Sequence, residues 1–140
     1  MRVKRFLLVS LLLFAIALAW NGLFHLVLLP QTREAVAHLL RPDFEDKLWL
    51  SLINTLALMV LFVWGYGRFA RDASLREASR YGLFFALLAG SLVDANQYLL
   101  YPIPAWVAAL WFLGGLVEFQ LYALLLARLF PRAAAAPEGC

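Results

Sequence analysis

Four long apolar runs dominate this sequence and limit the folds that it can adopt. They cover residues 6–29, 48–69, 81–100 and 104–130. An α-helix of about 20 residues, rising about 1.5 Å each, crosses a hydrocarbon core of about 30 Å. A membrane-spanning β-strand is about half as long and alternates apolar with polar residues. The sequence therefore predicts an all-α, polytopic membrane protein with four transmembrane helices in an antiparallel bundle.

The overall composition agrees with lipid as the surrounding solvent. The chain is 64% hydrophobic and 15% charged, whereas a soluble domain carries about 45–50% apolar and about 25% charged residues. This excludes an ordinary water-soluble enzyme and a disordered chain. Cys140 is the one cysteine, which excludes an internal disulfide and a thiolate metal site. We expect one domain over residues 1–132 and a flexible tail at 133–140.

The first apolar run also has features of a secretory signal. Arg2, Lys4 and Arg5 precede it, and the segment 17–19, Ala-Leu-Ala, resembles a cleavage site. The run nevertheless continues to Leu29, beyond the roughly 7–15 residues of a signal core. We therefore expect a retained span.

Lysine and arginine are distributed unequally between the two sides that four spans would create. One side carries nine of them: Arg2, Lys4, Arg5, Arg68, Arg71, Arg76, Arg80, Arg128 and Arg132. The other carries only Arg33, Arg41 and Lys47. Since short cytoplasmic loops are enriched in Lys and Arg, both termini are expected on the cytoplasmic side of the membrane. This topology explains the net charge of +3 without a nucleic-acid partner.

The first outer loop has the pattern of a short helix. Thr32 is a suitable N-cap, and Pro42 would end the helix after Leu40. Val36, Leu39 and Leu40 would share one face, which predicts a helix lying flat on the outer membrane surface.

The other two connections are short. Pro102 and Pro104 force a tight reversal, so the last two spans are predicted to form a hairpin. Residues 71–80 alternate Arg with Ala, Ser and Leu, which predicts a helical extension of the third span into the cytoplasm.

Polar side chains occur at similar depth in three of the four spans. Asn21 and His25 are four residues apart and share a helix face, as do Asp94 and Gln97, which are three apart. Placing a carboxylate inside lipid costs about 2.5–3.5 kcal/mol, so Asp94 is expected to be neutralised, paired or in contact with a ligand. With Asn54 of the second span, these residues predict an outer-leaflet polar pocket for a small ligand, a lipid head group or an ion. The alternative is interhelical hydrogen bonding, worth about 0.6–2 kcal/mol for each bond.

A second intramembrane acid, Glu118, is expected about 10 Å nearer the cytoplasm than Asp94, too far for the two to share a proton. The two acids could be stations on a proton or cation path, but we favour two separate structural contacts. A set of small residues is predicted to allow close helix packing: Ala86, Gly90, Gly114 and Gly115.

The sequence contains no recognisable catalytic or cofactor motif. It lacks HExxH, a glycine-rich phosphate loop and a Ser-His-Asp set, and we predict neither a metal nor a cofactor. The favoured function is non-enzymatic ligand binding. One alternative is an accessory or assembly subunit whose apolar faces bind partner helices or further copies of the chain. Another is a small membrane enzyme in which Asp94 and His25 act as acid and base.

Several short motifs, spread over residues 11–129, resemble small four-span bacterial inner-membrane proteins of uncharacterised, domain-of-unknown-function families. The motifs begin at residues 20 (Trp-Asn-Gly), 39 (Leu-Leu), 82 (Gly-Leu-Phe) and 94 (Asp-Ala-Asn-Gln-Tyr). In those families an acidic residue often precedes the glycine of the last span, whereas here Glu118 follows Gly115. The resemblance implies the four-span architecture and a role for Asp94 and Gln97, and it implies no reaction.

Overall fold

A computed structural model describes residues 3–70 and 74–129, and within these ranges the chain is helical with no β-strand. Four helices are long and apolar enough to cross a membrane, as predicted: α1 (Val3–Leu28), α3 (Glu45–Phe69), α4 (Leu75–Leu100) and α5 (Ala105–Leu129). A short helix, α2 (Pro30–Val36), lies between the first two. The expected tail at 133–140, and with it Arg2, Arg71 and Arg132, lies outside the described residues.

The ends of α4 are set by local sequence. Ser74 caps its N-terminus, and the Ser74 hydroxyl accepts a hydrogen bond from the Glu77 amide at 3.2 Å. From Leu75 onward the predicted extension of the third span is therefore helical. At the other end Tyr101 is extended, and α5 begins directly after Pro104, which gives the predicted hairpin.

The helix in the first loop starts earlier than the sequence suggested. It begins at Pro30, whose fixed φ suits the first turn. The expected capping role of Thr32 is wrong, because Thr32 lies inside the helix and its hydroxyl donates to the Leu29 carbonyl at 2.7 Å. After α2 the chain makes a 3₁₀ turn (Ala37–Leu39) and leaves the helical conformation before Pro42.

The α2 helix packs on the turn between α4 and α5. Val36 is buried in a small apolar cluster with Ile103 and Val107. The turn between α4 and α5 therefore lies level with α2, and α2 begins just beyond the end of α1. The helices α4 and α5 consequently extend past the point where α1 ends.

Ion pairs hold the middle of the first loop. Arg41 Nε lies 3.0 Å from Asp43 Oδ1, and Lys47 bonds the same carboxylate. Lys47 and Arg41 together hold the pKa of Asp43 below its usual value. These three side chains thus fix the segment that leads into α3.

The start of α1 and the end of α5 lie at the same end of the bundle. The Arg5 guanidinium donates to the Leu129 carbonyl, which joins them directly. We call this the arginine end, because it carries Arg5, Arg68, Arg80 and Arg128. The first loop and the α4–α5 turn lie at the opposite end.

An aromatic core fills the bundle toward the arginine end. Phe62 of α3 is fully buried, and its ring centroid lies 5.0 Å from those of Tyr81 and Phe85 in α4. On α5 the centroids of Phe119 and Tyr122 lie 5.6 Å and 6.1 Å away. Because Phe62 touches two other long helices, its packing joins α3 to the α4–α5 pair.

The backbones of α4 and α5 come into direct contact near Gly82. A Cβ at this position would lie 2.8 Å from both the Phe119 carbonyl oxygen and the Ala123 Cβ. Nearby, Ser79 Oγ donates to Gln120 Oε1 at 2.9 Å, and Gln120 Nε2 donates to the Ser79 carbonyl at 3.0 Å. Small residues and reciprocal polar bonds are the usual means by which helices associate in lipid.

The glycines expected to mediate packing differ in their surroundings. Gly90 lies against the Phe112 ring, and Gly114 lies against the Phe24 ring. Gly115 has no atom within 4 Å of where its Cβ would be. The expected close packing at Gly115 is therefore wrong, because that face of α5 borders open space.

The outward faces of the long helices are apolar. Leu8, Leu61 and Leu99 are 68%, 58% and 79% exposed, and many other large hydrophobic side chains share this exposure. Soluble monomers rarely expose such continuous apolar surface. These faces fit a hydrocarbon environment.

We predict that Gly82→Ala destabilises the fold by about 1–3 kcal/mol, because the new methyl group meets the α5 backbone. Gly22→Ala is the matched control, since nothing lies within 4 Å of its Cβ position. It should stabilise the helix by about 0.5–1 kcal/mol. The free energy of unfolding in mixed micelles measures both effects. Equal stability of the two variants would contradict the α4–α5 contact.

Candidate ligand-binding cavity

A cavity of about 650 Å³ lies between the four long helices. It extends from Met59 and Tyr122, next to the aromatic core, to Phe44 in the first loop. Ligand sites in proteins have volumes of about 300–1,000 Å³. All the predicted ligand-binding residues line it, together with the second acid: Asp94, Asn54, Asn21, His25, Gln97 and Glu118. The structure thus brings them together, and ligand binding by them stays a prediction.

His25 and Asp94 both lie on π-helical segments. These segments are Leu23–Leu28 at the end of α1 and Gly90–Ala95 within α4. The Leu29 amide donates to the Phe24 carbonyl at 2.9 Å, five residues back. A π-turn adds a residue to the helical turn and is frequent at functional sites. The spacing rules for α-helices do not describe these turns, and no sequence pattern predicted them.

The Asp94 carboxyl group has no partner among the described residues. The side chain is half-buried, and no hydrogen bond or ion pair joins its carboxyl group to any residue in the ranges 3–70 and 74–129. An isolated carboxylate between apolar helices is costly. A cation from outside the chain, or a proton, would remove that cost.

Glu118 is held by two donors. Asn21 Nδ2 donates to its Oε1 at 3.1 Å, and the Tyr122 hydroxyl donates to the same oxygen. The Oε2 atom accepts no bond from any residue that the structure describes. Tyr122 follows Glu118 by four residues, so α-helical spacing could have identified this partner. The carboxylate is therefore oriented through one oxygen and leaves the other available.

Glu118 lies nearer the arginine end than Asp94, as expected, because its neighbour Phe119 packs on Gly82, which precedes Asp94 in α4 by 12 residues, or about 18 Å. The expected depth of Asn21, at the level of Asp94, is wrong, because Asn21 bonds Glu118 directly. Depth counted from the end of each helix is comparable only when the helices end at one level. Here α4 and α5 extend past the end of α1, as the contact of Val36 with Ile103 shows. Glu118 and Asp94 thus line the same cavity at different heights.

Aromatic rings form much of the remaining wall: Trp20, Phe24, Phe44, Trp111, Phe119 and Tyr122. The ring centroid of His25 lies 5.1 Å from that of Phe24 and 6.2 Å from that of Trp111. Aromatic faces attract cations that lie within about 6 Å of the ring centre. These residues escaped the sequence analysis because aromatic side chains are frequent throughout the apolar runs.

The charge of the lining defines what the cavity can accept. It contains two carboxyl groups, and none of its described lining residues is Lys or Arg. No cluster of three or more His, Cys, Asp or Glu suited to a metal ion occurs among the described residues. The arrangement suits a cation that needs carboxylates and aromatic faces rather than a full set of metal ligands.

His25 marks a boundary between the cavity and the surface near the first loop. It also lines a separate recess of about 310 Å³ together with Arg33, Glu34 and Pro30. This recess lies at the end of the bundle opposite the arginine end. His25 is the residue that this recess shares with the cavity.

Comparison of the chain with protein-family models, with curated proteins and with solved structures finds no match. The function is therefore argued from the cavity.

We predict that water reaches the cavity wall at Asn54. In a Cys140→Ser background, Asn54→Cys should react with a charged methanethiosulfonate faster than Ile53→Cys, whose side chain is 56% exposed but does not line the cavity. The thiolate is the reactive form of cysteine. Lipid around a cysteine raises the pKa of its thiol, and each unit of that increase lowers the amount of thiolate about tenfold. Equal reaction rates for these neighbouring positions would contradict a hydrated cavity.

Proposed function

We propose that this chain is a multi-pass membrane protein whose cavity binds a small organic cation with an ammonium group. The observation that carries the proposal is the Asp94 carboxyl group, which lines the cavity without a partner in the part of the chain that the structure describes. Glu118 offers a second carboxyl group there, and its Oε2 atom is available. Binding a cation would offset the cost of keeping these charges between apolar helices.

An ammonium group fits this lining better than an anion or a neutral molecule. It would donate hydrogen bonds to the carboxylates, and such charge-assisted bonds are about twice as strong as neutral ones. The aromatic wall adds attraction to the same charge. A phosphate or carboxylate ligand would instead be repelled by Asp94 and Glu118.

We also propose that the arginine end faces the cytoplasm of a bacterial cell and that the cavity opens toward the outer side of the inner membrane. The support is the excess of Lys and Arg at the arginine end and the resemblance to small bacterial membrane proteins. In this orientation α2 and the exposed Leu40 lie at the outer surface, as an interfacial helix would.

A small membrane enzyme is the second candidate function. It requires His25 and Asp94 to border one space, and both line the cavity. In that case His25→Gln would abolish turnover of a bound amine and leave its binding intact. A third hypothesis, an accessory subunit, rests on the exposed apolar faces that partner helices or further copies of the chain would cover.

We predict that butylammonium stabilises the protein against thermal unfolding, since a ligand that binds only the folded state raises its stability. Butanol and butyrate have similar shapes but lack the positive charge, so they should have little effect. Asp94→Asn should weaken butylammonium binding about tenfold or more, because a hydrogen bond to a charged group contributes about 1.5–3 kcal/mol. Titration calorimetry measures the dissociation constants.

The matched control for this experiment is Asp46→Asn. Asp46 is an exposed acid in the first turn of α3 and does not line the cavity. Its replacement changes the net charge equally and should leave butylammonium binding unchanged. The proposal fails if Asp94→Asn binds butylammonium as tightly as the native protein, or if butanol stabilises the protein to the same degree.

Cysteine labelling in whole cells tests the orientation. In a Cys140→Ser background, Glu45→Cys should react with a membrane-impermeant maleimide in intact cells. Leu75→Cys, at the other end of the bundle, should react only after permeabilisation. The reverse pattern would place the arginine end outside, against the excess of positive charge.

A further inference from the structure

A second, smaller cavity lies between α4 and α5 on the outside of the bundle. This groove has a volume of about 260 Å³ and is lined by seven residues: Asp94, Ala95, Tyr98, Ala105, Ala108, Ala109 and Phe112. Ala95, Ala105 and Ala109 are exposed, so the groove opens to the surroundings of the bundle. Apart from the Asp94 carboxyl and the Tyr98 hydroxyl, its side chains are apolar.

Asp94 connects this groove to the central cavity. Among the described residues it alone lines both spaces. Of the two cavity acids, it is also the one whose carboxyl group bonds no described residue. A molecule whose charged end meets Asp94 can therefore extend an apolar part along the groove, where it would face the hydrocarbon of the membrane.

We infer that the ligand is an amphiphilic amine, whose ammonium group binds at Asp94 and whose alkyl chain lies in the groove between α4 and α5. This inference rests on the proposed function and adds the class of ligand and its route of entry. The groove runs along α5 from Ala105 to Phe112, about 10 Å at about 1.5 Å per residue. That length accommodates an octyl chain.

The lining also distinguishes this ligand from a phospholipid. No Lys or Arg is present among the described residues that line the groove or the cavity. A phosphate beside the amine would lie near Asp94 and Glu118 without a compensating cation. The ligand is therefore a single-charge amine that enters sideways from the lipid.

Affinities of alkylammonium ions of different length test the inference in lipid nanodiscs, with partition into empty nanodiscs subtracted. Octylammonium should bind more tightly than butylammonium, by about fourfold for each additional methylene that the groove buries. Octylphosphocholine has the same chain and a phosphate, and it should bind more weakly than octylammonium. Equal binding of these two octyl compounds would overturn the exclusion of phosphate.

A substitution in the groove supplies the decisive comparison. Ala109 is exposed and lines the groove but not the cavity, so Ala109→Leu should remove the gain from the longer chain and leave butylammonium binding unchanged. Ala57→Leu, at an exposed position on α3 outside both spaces, is the control and should change neither affinity.

The possible outcomes separate this inference from the proposed function. If butylammonium binds through Asp94 and octylammonium gains nothing, or Ala109→Leu leaves that gain intact, the groove does not hold the chain and the inference is wrong. If Ala109→Leu weakens both compounds equally, the groove only shapes the cavity, and the inference is again wrong. If no amine binds, the proposed function itself fails.

Discussion

Direct contact between Gly82 and the α5 backbone sets how closely α4 and α5 pack. It brings α4 and α5 together beside Phe119, the residue that follows Glu118. The reciprocal bonds between Ser79 and Gln120 fix the same region. Because lipid supplies little hydrophobic driving force between helices, such close backbone contacts and buried polar bonds must supply the association. The position of Glu118 in the bundle follows from this packing.

Toward the other end, small residues have a different effect. The space beside Gly90 is filled by Phe112, and the space beside Gly114 is filled by Phe24. No side chain fills the space beside Gly115, which lines the cavity. Glycine therefore permits close packing in one layer of the bundle and leaves open volume in the next. The difference lies in the large side chains that are available on the facing helices.

The sequence predicted the helices and the polar residues of the site because both depend on local patterns. Length and hydropathy define a span. A carboxylate or an amide within a span faces the bundle interior, because exposing it to lipid is costly. The relative heights of the helices could not be predicted, since they depend on the packing of Val36 against Ile103. For that reason the contact between Glu118 and Asn21 was missed. The π-turn at Asp94 likewise depends on tertiary packing rather than on local propensity.

The two acids of the cavity differ in what the chain provides for them. Glu118 accepts bonds from Asn21 and Tyr122, so its orientation is fixed by the fold and its charge is partly compensated. Asp94 receives nothing from the described chain, although Asn and Gln side chains line the same cavity. An arrangement selected for stability alone would give Asp94 a donor or replace it with an apolar residue. Because no described residue pairs with Asp94, it is the acid that we propose for the ligand, whereas the fold itself holds Glu118.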